Sequence, residues 1–241
     1  MTGVVKSAAR GRVIWHDPSM LPEVGPELFD PDRLRAGGLL TGGSTGRHTA
    51  WFLRHGGRDM VLRHYWRGGL VGRVVRDLFL RVPAPASRAM REFGLLNWMH
   101  GQGLPVPRAV AAQFRPAGLL YRADLLMERI ADAVPLADRL AGAPLEPGMW
   151  QEVGRVIARM HGAGVHHSDL NCRNILLDRG GKVWLIDFDK CGRRADGAWK
   201  SANLDRLKRS LLKEKGKVPG LNWGESDWQA LLEGYRAGAS G

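Results

Sequence analysis

Apolar residues recur at helical spacing in two stretches of the chain and in short, strand-length runs elsewhere. Trp150, Val153, Val156, Ile157 and Met160 fall on one face of a helix over 147–162. Met90, Phe93 and Leu96, with Leu95 and Met99 less regularly, do the same over 88–100. Both faces read as core. Strands are expected over 48–54, 59–63 and 123–127. Ile175-Leu176-Leu177 and the run Lys182 to Ile186 enclose a Gly180-Gly181 turn and read as a β-hairpin. A shorter helix is expected around Leu136 to Leu140. Up to Arg35 the prolines at 18, 22, 26 and 31 leave few periodic positions, which predicts an extended N-terminal arm over 1–35. A smaller β-rich lobe over 36–127 and a helical lobe over 128–241 then follow, without internal repeat or low-complexity tract.

Composition narrows the class without naming a function. A chain of 241 residues can bury a full core and is large enough for two lobes. No run of 18 or more apolar residues is present, so no spanning helix is expected. Met1 to Arg12 lacks the apolar centre of a signal peptide. The two cysteines, Cys172 and Cys191, make no disulfide framework and fit a reducing cytoplasm. Each reads as a packing residue, and no Cys/His spacing suggests zinc.

Chemistry concentrates around the hairpin. His167-Ser168-Asp169-Leu170-Asn171-Cys172-Arg173-Asn174 precedes it and Asp187-Phe188-Asp189 follows it. A hairpin brings its ends together, so Asp169 and Asn174 should lie beside Asp187. Asp169 can take a proton from a hydroxyl, while Asn174 and Asp187 are oxygen ligands for a hard metal. His167 is expected to brace the loop. The arrangement resembles the catalytic loop and metal loop of the protein-kinase-like superfamily. That resemblance implies an α+β, two-lobed protein-kinase-like fold, with an antiparallel-sheet N-lobe that binds nucleotide and a shortened helical C-lobe. It implies ATP as donor, Mg²⁺ held by Asn174 and Asp187, and Asp169 as the catalytic residue. Ser168 and Asp189 stand where the superfamily has Arg and Gly, which points to a constitutively assembled site.

The same resemblance assigns the upstream half. The glycine-rich turn Thr41 to Arg47, with Gly42, Gly43 and Gly46, would let backbone N–H groups approach phosphates. Arg63 takes the place of the phosphate-binding Lys at the end of a strand. It keeps the charge with a larger, forked head. Glu92 on the following helix would pair with it. Main-chain groups of the segment Glu128 to Ile130 would bind adenine.

Charge speaks to the acceptor. Lys and Arg number 36 against 24 Asp and Glu, a net +12, which favours acidic partners. Two segments hold much of it. In Arg63 to Arg81, arginines interleave with Leu70, Val71, Val74, Val75, Leu78 and Phe79, a pattern that suits either an anionic membrane surface or a helix packed on its own lobe. Arg206 to Lys217 reads as a solvated helix face. Four strings, Leu62 to Leu70, His166 to Leu176, Ile186 to Lys190 and Asn203 to Leu211, resemble the lipopolysaccharide-kinase branch of the superfamily, the kinases of 3-deoxy-D-manno-octulosonic acid (Kdo). What this implies is phosphoryl transfer from ATP to the 4-hydroxyl of Kdo on a lipid A precursor, by a peripheral protein at the cytoplasmic face of a bacterial inner membrane. A monomer is expected, and no nucleic-acid partner. The alternatives are a heptose kinase of the lipopolysaccharide core, a soluble kinase of the aminoglycoside type, whose cationic acceptors the +12 charge opposes, and a nucleic-acid-binding pseudokinase.

Overall fold

The computed structural model describes residues 3–9, 11–44, 50–67 and 77–239. The chain forms two compact units, Met1–Gly101 with Pro107–Arg129, and Gln102–Val106 with Ile130–Gly241.

The first unit is built on an antiparallel sheet, eight-stranded among the described residues. Its strands are β1 (Val5–Ala9), β2 (Arg12–His16), β3 (Leu40–Ser44), β4 (Ala50–His55), β5 (Arg58–His64), β6 (Phe79–Leu80), β7 (Ala109–Ala117) and β8 (Leu120–Glu128). The order is β1-β2-β7-β8-β5-β4-β3, with β6 added beside β8. In β7 six successive positions, Ala109 to Phe114, are buried, so both faces of the sheet centre are covered. One layer contains Met20, Leu21, Leu28, Phe29 and Leu34 packed against Leu53, Met60 and Leu62. Helix α2 (Arg88–Gly101) buries Met90, Phe93, Leu96 and Met99. Its Phe93 meets Trp15 of β2 edge-on at 6.5 Å.

The expected N-terminal arm is therefore wrong in kind. Val5–Ala9 and Arg12–His16 are two strands of the sheet, paired through β2 to Ala111–Phe114 of β7. That pairing spans about a hundred residues of sequence and leaves no local signature. Two of the prolines that suggested an arm, Pro26 and Pro31, instead start short helices. Pro26 opens a 3-10 turn over Pro26–Phe29. Pro31 opens α1 (Pro31–Ala36) directly after Asp30, whose carboxylate accepts from the N–H groups of Asp32 and Arg33.

The second unit holds α3 (Leu136–Gly142), α4 (Pro147–Gly162), α5 (Trp199–Lys217) and α6 (Glu225–Ala239). Two helices dominate its packing. Gly154 of α4 lies against the backbone at Leu231 and Tyr235 of α6, and Gly234 of α6 against Gln151 of α4, so closely that a methyl group at either glycine would collide with a carbonyl. The apolar face predicted for 147–162 is buried in full. The hairpin consists of β11 (Ile175–Leu177) and β12 (Val183–Leu185), with β9 (Val134–Pro135) pairing along β11. Beside it β10 (Val165–His166) pairs with β13 (Gly192–Arg193). Of the basic stretch 63–81, residues 68–76 lie outside the described residues. Its end, Phe79–Leu80, is strand rather than helix.

Candidate active site

In the second unit the chain between β10 and β11 makes a turn that fastens itself. Asn171 Oδ1 accepts from the N–H groups of Arg173 and Asn174, at 2.8 and 3.2 Å. The side-chain amides of Asn171 and Asn174 both donate to the Asp169 carbonyl, at 3.0 and 2.9 Å. Asn174 thus spends its nitrogen on the loop and turns its Oδ1 the other way. Its carbonyl accepts from Ile186 N–H at 3.0 Å. Ile175 pairs with Leu185, so the hairpin mouth sets Asn174 next to the chain entering Asp187. Asp187 has φ 63°, a left-handed conformation uncommon for a residue with a side chain and typical of a functional turn.

His167 braces both ends. Asp169 N–H donates to its Nδ1 at 3.2 Å, which places the ring proton on Nε2, 3.0 Å from the Ile186 carbonyl. Burial pushes its pKa down, so it stays neutral. Its ring lies against Phe188, with centroids 4.8 Å apart. Ser168, the residue in place of the superfamily Arg, donates its hydroxyl to the Asp189 carbonyl at 2.7 Å, and its N–H meets Cys191 Sγ at 3.1 Å. The segment after the hairpin is thereby tied to the loop before it. Cys172 and Cys191 are both buried free thiols.

Helix α5 supports the loop at three successive levels. Asn203 accepts from His167 N–H at 3.2 Å and donates to the His167 carbonyl at 3.1 Å. Arg206 holds Asp169 Oδ1 through Nε, at 3.0 Å, and through Nη2. Ser210 Oγ accepts from Cys172 N–H at 3.0 Å. Burial raises the Asp169 pKa, but the hydrogen bonds from Arg206 and Asn171 outweigh it and hold the carboxyl below its ordinary value. It is ionised at neutral pH. Both side chains are about half exposed, so the pair itself is worth under about 1 kcal/mol of stability.

In the first unit Arg63, on β5, pairs through Nη2 with Glu92 of α2. Tyr65 joins them: its hydroxyl donates to Glu92 Oε2 and accepts from Arg63 Nη2. Burial, and then the Glu92 charge, push the Tyr65 pKa well up, so the hydroxyl keeps its proton. Glu92 is buried. Gly42 and Gly43 lie within β3, opposite Phe52 and Trp51, with a register shift between Leu40 and Gly42, rather than in the turn itself. Gly46 lies outside the described residues. At the end of β8 the N–H groups of Glu128 and Arg129 donate to the carbonyls of Arg108 and Asp59. Ile130 is the first residue of that segment whose N–H enters neither bond.

A model of the lipopolysaccharide kinase (Kdo/WaaP) family matches residues 35–235. The chain belongs to that family. Among its relatives is a 3-deoxy-D-manno-octulosonic acid kinase of Vibrio parahaemolyticus, 43% identical over 222 residues, which cover 92% of this chain and 93% of that protein. A kinase of the same name from Photobacterium profundum is 42% identical, with 92% and 94% covered. One from Actinobacillus succinogenes is 40% identical, with 87% and 90% covered. Membership makes the chain a phosphotransferase with a hydroxyl acceptor, and a kinase of this kind implies ATP as donor.

The oxygen donors fit a family that handles nucleotide phosphates. Asn174 Oδ1 and the Asp187 carboxylate are hard ligands, and no cluster of three or more His, Cys, Asp or Glu able to cage a metal exists among the described residues. One carboxylate and one amide leave most positions of an octahedral ion to phosphate and water, which is the habit of Mg²⁺ in kinases. Three residues were missed by sequence reasoning. Arg206 looked like one cation of a solvated run. Asn203 and Tyr65 occurred only inside strings compared as wholes. None has a local signal, because each acts across 27 residues or more of intervening chain.

Proposed function

We propose that this chain transfers the γ-phosphoryl group of ATP to the 4-hydroxyl of Kdo on a lipid A precursor. The observation that carries the reading is Asp169, an ionised carboxylate fixed at the mouth of the hairpin whose two ends are Asn174 and Asp187. Asp169 orients the acceptor hydroxyl and takes its proton as the new oxygen–phosphorus bond forms and ADP leaves. Asn174 and Asp187 would hold Mg²⁺, which when bound would neutralise charge on the phosphates. Arg63, fixed by Glu92 and Tyr65, binds the phosphate tail with the backbone at Gly42, Gly43 and Gly46. The Glu128 carbonyl and Ile130 N–H bind the adenine edge. The names of the relatives favour Kdo over heptose as the acceptor sugar.

Peripheral attachment to the cytoplasmic face of the inner membrane belongs to the same proposal. The net charge of +12 supports it. No helix among the described residues is long and apolar enough to cross a membrane. Leu80, at the end of β6, and Leu119, in the turn between β7 and β8, are the two most exposed large apolar side chains described, and Arg81 N–H donates to the Leu119 carbonyl at 2.9 Å. Apolar tips with an arginine between them suit an anionic interface.

The experiment is transfer of labelled γ-phosphate from ATP and Mg²⁺ to a Kdo-bearing lipid A precursor, beside the same lipid without Kdo. Label is expected in the Kdo-bearing lipid alone. Folded, ATP-binding protein that labels neither lipid would discard the acceptor.

A further inference from the structure

We propose that Arg206 is a specificity-determining residue that binds the carboxylate of the acceptor sugar. The inference rests on the Kdo reading above. Kdo is a sugar acid, so its phosphorylated hydroxyl and its carboxylate sit on one small ring. With the hydroxyl at Asp169, the carboxylate must be neutralised close by.

Three observations single out Arg206. It touches Asp169 itself, through Nε and Nη2 on one carboxylate oxygen, which leaves Nη1 outside both bonds. The pair is half exposed, so a second anion can reach the guanidinium. A planar fork of five N–H donors can serve two carboxylates at once. Second, the guanidinium stands on a braced helix. Asn203 and Ser210, a turn away on either side, are bonded to His167 and Cys172 of the same loop, so Arg206 is positioned before any acceptor arrives. Third, the cation of the loop itself is committed elsewhere: Arg173 is paired with Glu214 and Asp138. Asp205, next to Arg206, is exposed and makes no ion pair with it among those described.

The test compares wild type, Arg206→Ala and Arg206→Lys on two acceptors: the Kdo-bearing lipid A precursor, and the same lipid with its Kdo carboxylate converted to a carboxamide. On the natural acceptor, Arg206→Ala should lower kcat/KM by about 100-fold, mostly through KM, as loss of a specific charge pair does. Arg206→Lys should recover part of it, since it keeps the charge and loses the fork. On the carboxamide, wild type should already have lost most of that factor, and Arg206→Ala should cost no more than about twofold further. The KM for ATP should not move. An equal loss on both acceptors would overturn the proposal and reassign Arg206 to Asp169 or the phosphoryl group. So would near-wild-type kcat/KM for Arg206→Ala on the natural acceptor. No transfer by wild type to the natural acceptor would overturn the Kdo reading itself.

Discussion

Arg63 with Glu92 and Arg206 with Asp169 are the same chemical pair in different surroundings. The first is enclosed: the Glu92 side chain is 2% exposed, and Tyr65 donates a third polar group to it. The second stands half in water at the edge of a helix. Enclosure makes a pair expensive to break, because a lone charge is then left in a poor solvent. Exposure makes a pair cheap to break and leaves its members open to a further partner. The unit assigned to ATP, a ligand common to all kinases, carries the fixed pair. The unit assigned to the acceptor carries the exposed one.

The largest expected effect belongs to the exposed pair and appears in turnover. Asp169→Ala should lower kcat by about 1000-fold or more while ATP still binds, as shown by single-turnover transfer beside an ATP titration. Wild-type turnover would overturn the role proposed for Asp169 and dissolve the contrast. Next comes stability of the enclosed pair. Glu92→Ala leaves Arg63 without its carboxylate and Tyr65 without its acceptor, and should cost about 3 to 5 kcal/mol in urea unfolding. A loss under about 1 kcal/mol would mean that water reaches the pair.

Whether burial or the choice of unit decides can be tested on His161, a buried polar group in the same unit as Asp169. Its Nε2 lies 3.3 Å from Asn203 Oδ1 and its Nδ1 2.8 Å from the Tyr235 hydroxyl. Burial lowers its pKa from 6.5 to about 4. The folded state therefore prefers the neutral ring, so its contribution is present above the unfolded value and is lost as pH falls through 6.5 toward 4. That loss should reach about 3 kcal/mol, and His161→Gln should flatten this part of the stability–pH curve. An unchanged slope would assign it to other groups. The smallest effect is Arg206→Ala on stability, under about 1 kcal/mol at neutral pH by the same unfolding assay. Because the Asp169 carboxyl is held low, the stability of that pair is present above the usual aspartate range and disappears as pH falls through its lowered value. A loss above about 2 kcal/mol at neutral pH would make the pair structural and erase the contrast with Arg63 and Glu92.

The grouping of the loop residues was legible because it is local. Asp169, Asn174 and Asp187 are bound to one another by a short hairpin, and alternation with a Gly-Gly turn is enough to specify that motif. The faces of α2 and α4 were legible for the same reason, since helical period is a property of the segment alone. Arg63 and Glu92 were nominated from resemblance, and their contact depends on how α2 packs on β7 and β8, the latter the sheet neighbour of β5.

Sequence alone therefore determined the elements, the hairpin that gathers the loop residues, the positive charge and the kinship to lipopolysaccharide kinases. Tertiary structure decided what pairs across distance. It turned the supposed arm into β1 and β2 by hydrogen bonds to β7. It placed Tyr65 on Glu92, and it took Arg206 out of a run of solvated cations and set it on Asp169. Periodicity reports which face of an element is apolar, because that is fixed within a few residues. It carries no information on which polar side chain of a helix meets a distant loop, because that depends on where the packed core puts both.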